Sequence, residues 1–368
     1  MTLEKSALTL GYMPLTDCAP LVVAQRMGMA EARGLTLRLA CQPSWATLRD
    51  RLLAGELDAA HALYGLPYGV QLGLGGPRHE MAVLMTLNQN GQGIALAQGM
   101  HGSVQSGDGL RRAIVAATRR LTLAHTFPTG THAMWLYYWL AAHRIHPLRD
   151  VNTEVVPPPD MVGALARGEL DGFCAGEPWP AAVEQAQSGY TLVSSAEIWP
   201  DHPEKVLATT RAFADTHPQT TIALTAALIE ACRWLDHPAQ REQAVPWIAE
   251  AIGVPEQLIA PRLIEGHGRG GRSHAARFYG RGGEVCYPWL SDGMWFLTQY
   301  RRWGLLDHDP DYLEVAEAVN RLDLYHEAAR LADVDLPATP LRRSVLIDGR
   351  LWDGSDPQAY AASFAIRA

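Results

Sequence analysis

Short apolar runs alternate with amphipathic helical segments over the first hundred residues. Segments 21–29 and 45–54 repeat their apolar positions with helical spacing, which predicts two helices. The apolar runs, which predict strands, cover residues 8–12, 35–40, 59–63, 80–87 and 94–97. Because a β-α-β-α-β order places successive strands side by side in one direction, this part predicts an α/β lobe with a parallel sheet.

A similar order begins again near residue 121, and one sequence unit recurs in both parts. Residues 52–60 read LLAGELDAA and residues 164–172 read ALARGELDG. In each copy a helix ends at a glycine, which tolerates a left-handed conformation, and a short apolar strand follows. Two such units predict two similar lobes with a cleft between them, where small ligands usually bind.

The domain boundaries follow from these elements. We expect residues 1–97 to form the first lobe and residues 98–200 the second, with a loop at 99–110. Residues 201–335, which are mostly helical, are expected to return to the first lobe. Residues 336–368 read as an irregular tail with one strand-like patch at 344–347.

Composition indicates a folded binding or catalytic protein rather than a disordered or nucleic-acid-binding one. The chain has 368 residues, 48% of them apolar, and a net charge of −8. This balance gives a sizeable core and does not favour direct nucleic-acid binding. The five cysteines are scattered and odd in number, which predicts reduced buried thiols rather than disulfides or a metal site.

The start of the chain shows no targeting pattern. Residues 1–8 lead directly into an apolar run, without the basic start and apolar core of an export signal. No stretch approaches the roughly 18 apolar residues of a membrane-spanning helix. We therefore expect a cytoplasmic protein without membrane contact.

Catalytic motifs are missing from the sequence, so we expect neither an enzyme nor a cofactor or metal. There is no GxSxG, Walker loop or HExxH, and no GxGxxG after a strand. Ligands of parallel sheets bind beyond the carboxyl ends of strands. The polar residues at those places are Thr16, Asp17, Ser44, Trp45, Asn90, Gln92, Thr131, His132, Glu177 and Lys205. Taken singly, Trp45, His132 and Lys205 also have plain structural explanations as packing, core and surface residues.

A glycine-rich basic segment lies at residues 266–281. It carries Arg269, Arg272, Arg277 and Arg281 but lacks the ending of a phosphate-binding loop. Two interpretations stay open, a surface loop or a positively charged lid or partner contact.

Ordered motifs along residues 8–304 resemble one family, the nitrate- and bicarbonate-binding proteins of the NrtA/CmpA type. The stretches that carry the resemblance are Gly11–Asp17, Ser44–Thr47, Asn90–Ile94, Phe127–His132, Val156–Pro159, Phe173–Trp179, His202–Lys205, Tyr287–Trp289 and Met294–Leu297. The resemblance implies a bilobed periplasmic-binding-protein-like fold of the second type, with C-terminal helices. Residues 290–293 depart from the pattern more usual in that family.

The resemblance also implies a ligand set. Trp45, Gln92, His132 and Lys205 match the family's oxyanion ligands, and each side chain can donate a hydrogen bond to a flat inorganic anion. The positive character of His132 and Lys205 favours nitrate or nitrite over bicarbonate. Residues expected to surround these four are Thr16, Asp17, Gly130, Thr131 and Glu177.

Together with the expected cytoplasmic location, the resemblance predicts a nitrate/nitrite sensor. In this interpretation the empty protein holds an RNA-binding antiterminator of the NasT type, and anion binding closes the lobes and releases it. The hinge is expected at residues 92–97 and 194–205. One alternative is a transporter's binding subunit whose leader was removed. Another is an enzyme related to those that make the thiamine pyrimidine, which would need iron and a His or Cys cluster.

Overall fold

The computed structural model describes residues 2–266 and 275–368. None of the helices within these ranges is both long and apolar enough to cross a membrane. The strands are β1 (Ala7–Tyr12), β2 (Thr36–Cys41), β3 (Ala59–Leu63), β4 (Met81–Gln89), β5 (Gln92–Ala97), β6 (Thr122–His125), β7 (Asn152–Val155), β8 (Gly172–Gly176), β9 (Gly189–Ser194), β10 (Pro203–Thr210), β11 (Ser344–Val345) and β12 (Leu351–Trp352).

The helices follow the strands of each lobe and then dominate the last third of the chain. They are α1 (Ala19–Arg26), α2 (Trp45–Leu53), α3 (Gly65–Gln71), α4 (Gly107–Ala116), α5 (Thr131–Ala142), α6 (Pro158–Ala166), α7 (Trp179–Gln185), α8 (Ser195–Ile198), α9 (Arg211–Thr216), α10 (Pro218–Leu235), α11 (Pro238–Ile252), α12 (Glu256–Ile264), α13 (Leu290–Arg302), α14 (Tyr312–Val319), α15 (Leu322–Leu331) and α16 (Pro357–Ala362). Helix α4 begins within the segment expected to be a loop.

The first lobe contains a mixed sheet in the order β2-β1-β3-β10-β4. Strand β1 pairs in parallel with β2 and β3, whereas β10 is antiparallel to both β3 and β4. The expectation of a parallel sheet is therefore correct for β1–β3 and wrong for the whole sheet. The chain re-enters this sheet from the other lobe, and β10 consequently runs against its neighbours.

The second lobe contains another mixed sheet, in the order β7-β6-β8-β5-β9. Strand β5 is antiparallel to both β8 and β9. The expected boundary after residue 97 is thus too late, because β5 (Gln92–Ala97) already belongs to the sheet of the second lobe. An apolar run predicts a strand, but only its hydrogen-bonding partners show which sheet contains it.

Two short segments connect the lobes. One lies between β4 and β5, where Asn90 and Gly91 have φ values of 60° and 87°, and the other contains Asp201, with φ of 59°. Asn90 Nδ2 donates to Asp201 Oδ1 at 3.2 Å, and the Asp201 amide donates to Asn90 Oδ1 at 3.0 Å. Strand β5 is paired on both edges within the second sheet, so the first crossing lies at Asn90 and Gly91, just before the expected 92–97. The second crossing, at Asp201, lies within the expected 194–205.

The repeated sequence unit performs the same structural role in each lobe. Gly55 and Gly168 have φ values of 74° and 73°, in the left-handed region. A Cβ at either position would meet nothing within 4 Å, so conformation rather than space requires glycine there. The predicted pair of similar α/β lobes is confirmed.

The C-terminal part packs on both lobes. Helices α10 and α11 cover the first lobe, and Trp295 of α13 packs against Trp135 and Trp199 of the second, with ring centroids 5.0 Å away in each case. The last residues are more ordered than the expected irregular tail. Their strands β11 and β12 form a hairpin, and Trp352 Nε1 donates to the Ser291 carbonyl at 2.9 Å.

Candidate functional site

The first lobe supplies one wall of a buried site at the ends of its strands. Asp17 follows β1, Trp45 begins α2, and Lys205 lies in β10. The Ser44 hydroxyl caps α2 by accepting a hydrogen bond from the Thr47 amide at 3.1 Å. This cap fixes the start of the helix and therefore the position of Trp45. Lys205 Nζ lies 5.8 Å from the centroid of that indole. Lys205 is 0% exposed, so it is not the surface residue that it alone could have been, and Trp45 is only 1% exposed.

The second lobe supplies the opposite wall. Gln92 is the first residue of β5, and His132 lies in the first turn of α5. The Nε2 atom of His132 is 2.8 Å from Gln92 Oε1, and its Nδ1 atom is 2.6 Å from Thr126 Oγ1. A Cβ on Gly176 would lie 2.6 Å from Gln92 Oε1, so the glycine leaves room for this amide.

Asp17 joins the two walls. Its Oδ2 atom accepts hydrogen bonds from Lys205 Nζ at 2.8 Å and from Gln92 Nε2 at 3.1 Å. Its Oδ1 atom accepts from His61 Nε2 at 2.9 Å. The residue expected to surround the site is therefore at its centre, and it connects donors of both lobes.

Glu204 is a second buried carboxylate, which the local sequence pattern does not single out. It accepts from Lys205 Nζ at 2.8 Å, from Thr131 Oγ1 at 2.5 Å and from Trp135 Nε1 at 2.8 Å. Neighbouring residues of a strand normally face opposite sides, but the pairing of β10 with β4 shifts register at Lys205. The signal in the sequence that could have indicated Glu204 is the Glu-Lys pair at the start of an otherwise apolar strand.

The charges of the site depend on one another. Burial raises the pKa of Asp17, but Lys205 and His61 outweigh it and hold that pKa at about 2. Lys205 likewise holds the pKa of Glu204 below its usual range against burial. Burial lowers the pKa of Lys205, and the two carboxylates more than reverse this, so the ammonium stays charged.

The histidines of the site are neutral. Burial lowers the pKa of His61 and of His132, and lowers that of His202 to about 4. Their nearby carboxylates offset only part of this effect.

Several buried polar atoms at the site have no hydrogen-bond partner among the described residues. They are Trp45 Nε1, Thr16 Oγ1 and His61 Nδ1. An indole N–H can only donate, and a buried donor without an acceptor is costly. An orphaned donor beside an ammonium, an amide and an imidazole suits a small anion.

The remaining predicted residues support the site rather than line it. The Glu177 carbonyl accepts from the Thr16 amide at 2.7 Å across the lobes, while its carboxylate lies 3.4 Å from Arg262 Nε. Burial raises the pKa of Glu177 to about 7. Gly130 precedes α5 in close packing, since a Cβ there would lie 2.5 Å from Leu63 Cδ1.

The basic segment has a partly structural role. Arg277 pairs with Asp201 at 2.7 Å and with Glu284 at 2.8 Å, so it is not a free positive charge. Arg281 is exposed, whereas Arg269 and Arg272 lie outside the described residues.

The cysteines and the other metal-binding residue types form no cofactor centre in the described ranges. All five thiols are free, and four are buried, but Cys41 is exposed, contrary to expectation. The described residues contain no group of three or more His, Cys, Asp or Glu side chains that could hold a metal ion.

Comparison with known proteins finds that residues 1–249 match the NMT1-like family. The nitrate/nitrite binding protein NrtA of Synechococcus elongatus is 36% identical over 99% of this chain and 87% of its own length. The nitrate import ATP-binding protein NrtC of Synechocystis is 35% identical over 99% of this chain, which spans only 56% of that relative. The crystal structure of the periplasmic nitrate-binding protein NrtA from Synechocystis has a TM-score of 0.94, with 33% identity and 100% coverage of both chains.

Proposed function

This chain belongs to the NMT1-like family and is an NrtA-like protein, and we propose that it binds nitrate or nitrite between its lobes. The relatives are nitrate-binding and transport proteins, and the chain is accordingly a binding protein and not an enzyme. The observation that carries the proposal is the orphaned Nε1 donor of Trp45, fully buried beside Lys205. Gln92 and His132 complete the proposed donor set from the other lobe.

The physical chemistry of the donors fits a delocalised monoanion. Nitrate presents three oxygens in one plane, and the ammonium, amide, imidazole and indole can each donate to one of them. A hydrogen bond to a charged group contributes about 1.5–3 kcal/mol. Lys205 Nζ is the cationic donor of this set, and we propose that bicarbonate binds more weakly than nitrate or nitrite.

Calorimetry against nitrate, nitrite, bicarbonate and chloride tests this proposal. We expect heat with nitrate or nitrite and much weaker binding of the other two anions. The Trp45→Phe variant tests the indole donor, because it removes one N–H and keeps an aromatic ring. Absence of binding by both nitrate and nitrite at every pH tested would refute the proposal.

We further propose that the chain is a cytoplasmic sensor of the NasS type, which holds a NasT-type antiterminator when empty. Five free thiols, four of them buried, suit a reducing compartment. Release on binding requires that anion and partner prefer different arrangements of the lobes, since equal affinity shifts no equilibrium. The crossings at Asn90–Gly91 and Asp201 are the proposed hinge.

A binding subunit for import is supported equally well, because the relatives include a periplasmic nitrate-binding protein and an import component. Cell fractionation separates the two candidates. Recovery in the cytoplasm, with an RNA-binding partner that co-purifies only without nitrate, supports the sensor. Recovery outside the cytoplasm refutes the sensor and supports the import subunit. A partner that binds equally well with and without nitrate does the same.

A further inference from the structure

We propose that the anion enters this site together with one proton from solvent, which His132 holds as an imidazolium while the anion is bound. This inference rests on the proposed anion-binding function and deepens it. Under this proposal the protein binds one anion and one proton together.

Without an anion, the site carries a net negative charge. Asp17 and Glu204 are buried carboxylates, and Lys205, which contacts both at 2.8 Å, is the cation between them. With neutral histidines, the cluster therefore carries one net negative charge. A monoanion alone would raise this to two negative charges among buried side chains, and uncompensated buried charge is strongly unfavourable.

His132 is the group of the site best placed to accept the proton. A doubly protonated imidazole needs an acceptor at each nitrogen. His132 has Thr126 Oγ1 at 2.6 Å from Nδ1, and Gln92 Oε1 at 2.8 Å from Nε2. Glu204 Oε1 lies 3.4 Å from the same Nε2 atom. The imidazolium of His132 would thus have Thr126 as acceptor at Nδ1 and either Gln92 or the anion as acceptor at Nε2, and it would face a carboxylate.

The other buried histidines fit less well. His61 uses Nε2 for Asp17, and its Nδ1 atom has no partner among the described residues. His202 has partners at both nitrogens, the Pro203 carbonyl and the Ser195 hydroxyl, and its Nδ1 lies 3.6 Å from Glu204 Oε2. Burial, Arg342 and Lys205 together oppose a positive charge on its ring and hold its pKa at about 4. His132 is also the member of the three that belongs to the proposed donor set.

The charged and titratable groups around His132 set the sign of the effect. Glu204 and Asp17 favour its imidazolium, whereas burial and Lys205 disfavour it, and the neutral His125 is a further neighbour. Burial lowers the pKa of His132 in the empty protein, and an adjacent anion raises it. Uptake therefore takes place between these two pKa values, and anion affinity strengthens as pH falls through that interval.

Calorimetry of nitrate binding to the full chain, in buffers of different ionisation enthalpy, measures the proton directly. Across the pH range in which the protein stays folded, we expect net proton uptake that approaches one proton per nitrate, and a Kd that rises with pH by up to about tenfold per unit within the interval of uptake. Binding with no net proton uptake and a constant Kd over this range would overturn the inference. Absence of nitrate binding at every pH would instead overturn the proposed function.

Two substitutions localise the effect, and the first of them is isosteric. Glu204→Gln removes one negative charge, so we expect less proton uptake and a flatter pH dependence. His132→Gln keeps a neutral donor near the Nε2 position, so we expect weaker binding without uptake. Circular dichroism and thermal melts establish that each variant is folded. Undiminished uptake in Glu204→Gln refutes the charge argument, and undiminished uptake in His132→Gln refutes the assignment to His132.

Discussion

Replacing Lys205 by methionine should destabilise the protein even without ligand. The change keeps most of the side-chain volume but leaves Asp17 and Glu204 as buried carboxylates without their shared cation. Breaking a buried ion pair from one side typically costs about 3–5 kcal/mol. For 368 residues the unfolding entropy is about 0.8 kcal/mol/K, so the melting temperature should fall by about 4–6 °C.

Differential scanning calorimetry at pH 7 measures this loss, with Lys5→Met as the matched control. Lys5 also pairs with an aspartate, Asp58, at 2.6 Å, but its side chain is 43% exposed. Exposed pairs contribute about 0.2–1 kcal/mol, so this control should melt close to the wild type. Adding Asp17→Asn to Lys205→Met removes one stranded carboxylate and should recover part of the stability.

The pH dependence gives a second check on Lys205→Met. In the wild type the pKa of Asp17 is lowered from 3.8 to about 2, so its contribution is complete above 3.8 and is lost as pH falls through about 2. Without Lys205 most of this contribution is missing at neutral pH. The gap between wild type and variant should therefore narrow on acidification. Equal melting temperatures of wild type and variant at pH 7 would refute the reasoning. A difference in melting temperature that stays constant on acidification would also refute it.

Three further substitutions test separate features. Trp45→Phe should weaken nitrate binding by about tenfold or more in calorimetry while the melting temperature changes little, because Nε1 has no protein partner to lose; a large loss of stability would contradict this. Gly176→Ala should lower affinity more than stability, since its Cβ would lie 2.6 Å from Gln92 Oε1; unchanged affinity would show that the amide can shift freely. Burial raises the pKa of Glu177 from 4.5 to about 7, so the native state holds an extra proton between these values and wild-type stability falls as pH rises through them. Glu177→Gln lacks this titration and should gain stability relative to the wild type from pH 5 to pH 8 in parallel melts; a constant difference would argue against it.

Local pattern was sufficient for the elements of the two lobes. Strand β3 covers residues 59–63 as predicted, because its five apolar or buried positions stand between a helix-ending glycine and the next helix. Helix α2 begins at Trp45 as predicted, because Ser44 is a capping residue. Helix α4 was missed because its first turn contains two glycines, which weaken the helical signal.

The pairing of strands that are distant in the chain could not be predicted from the local sequence pattern. The apolar run of β5 predicts a strand whichever sheet contains it, and only pairing with β8 and β9 places it in the second lobe. The same holds for β10, whose antiparallel direction depends on the route by which the chain returns.

The sequence by itself determined the two-lobed architecture and, through the resemblance, the four donors proposed for the anion. These conclusions depend on residue type and spacing, which are local properties of the chain. Tertiary structure decided the charge of the site, because it buried Glu204 and Asp17 against Lys205 and left Trp45 Nε1 without an acceptor. Burial, pairing and pKa depend on what lies nearby in space, and residues as far apart in the chain as Asp17 and Lys205 meet only in the folded protein.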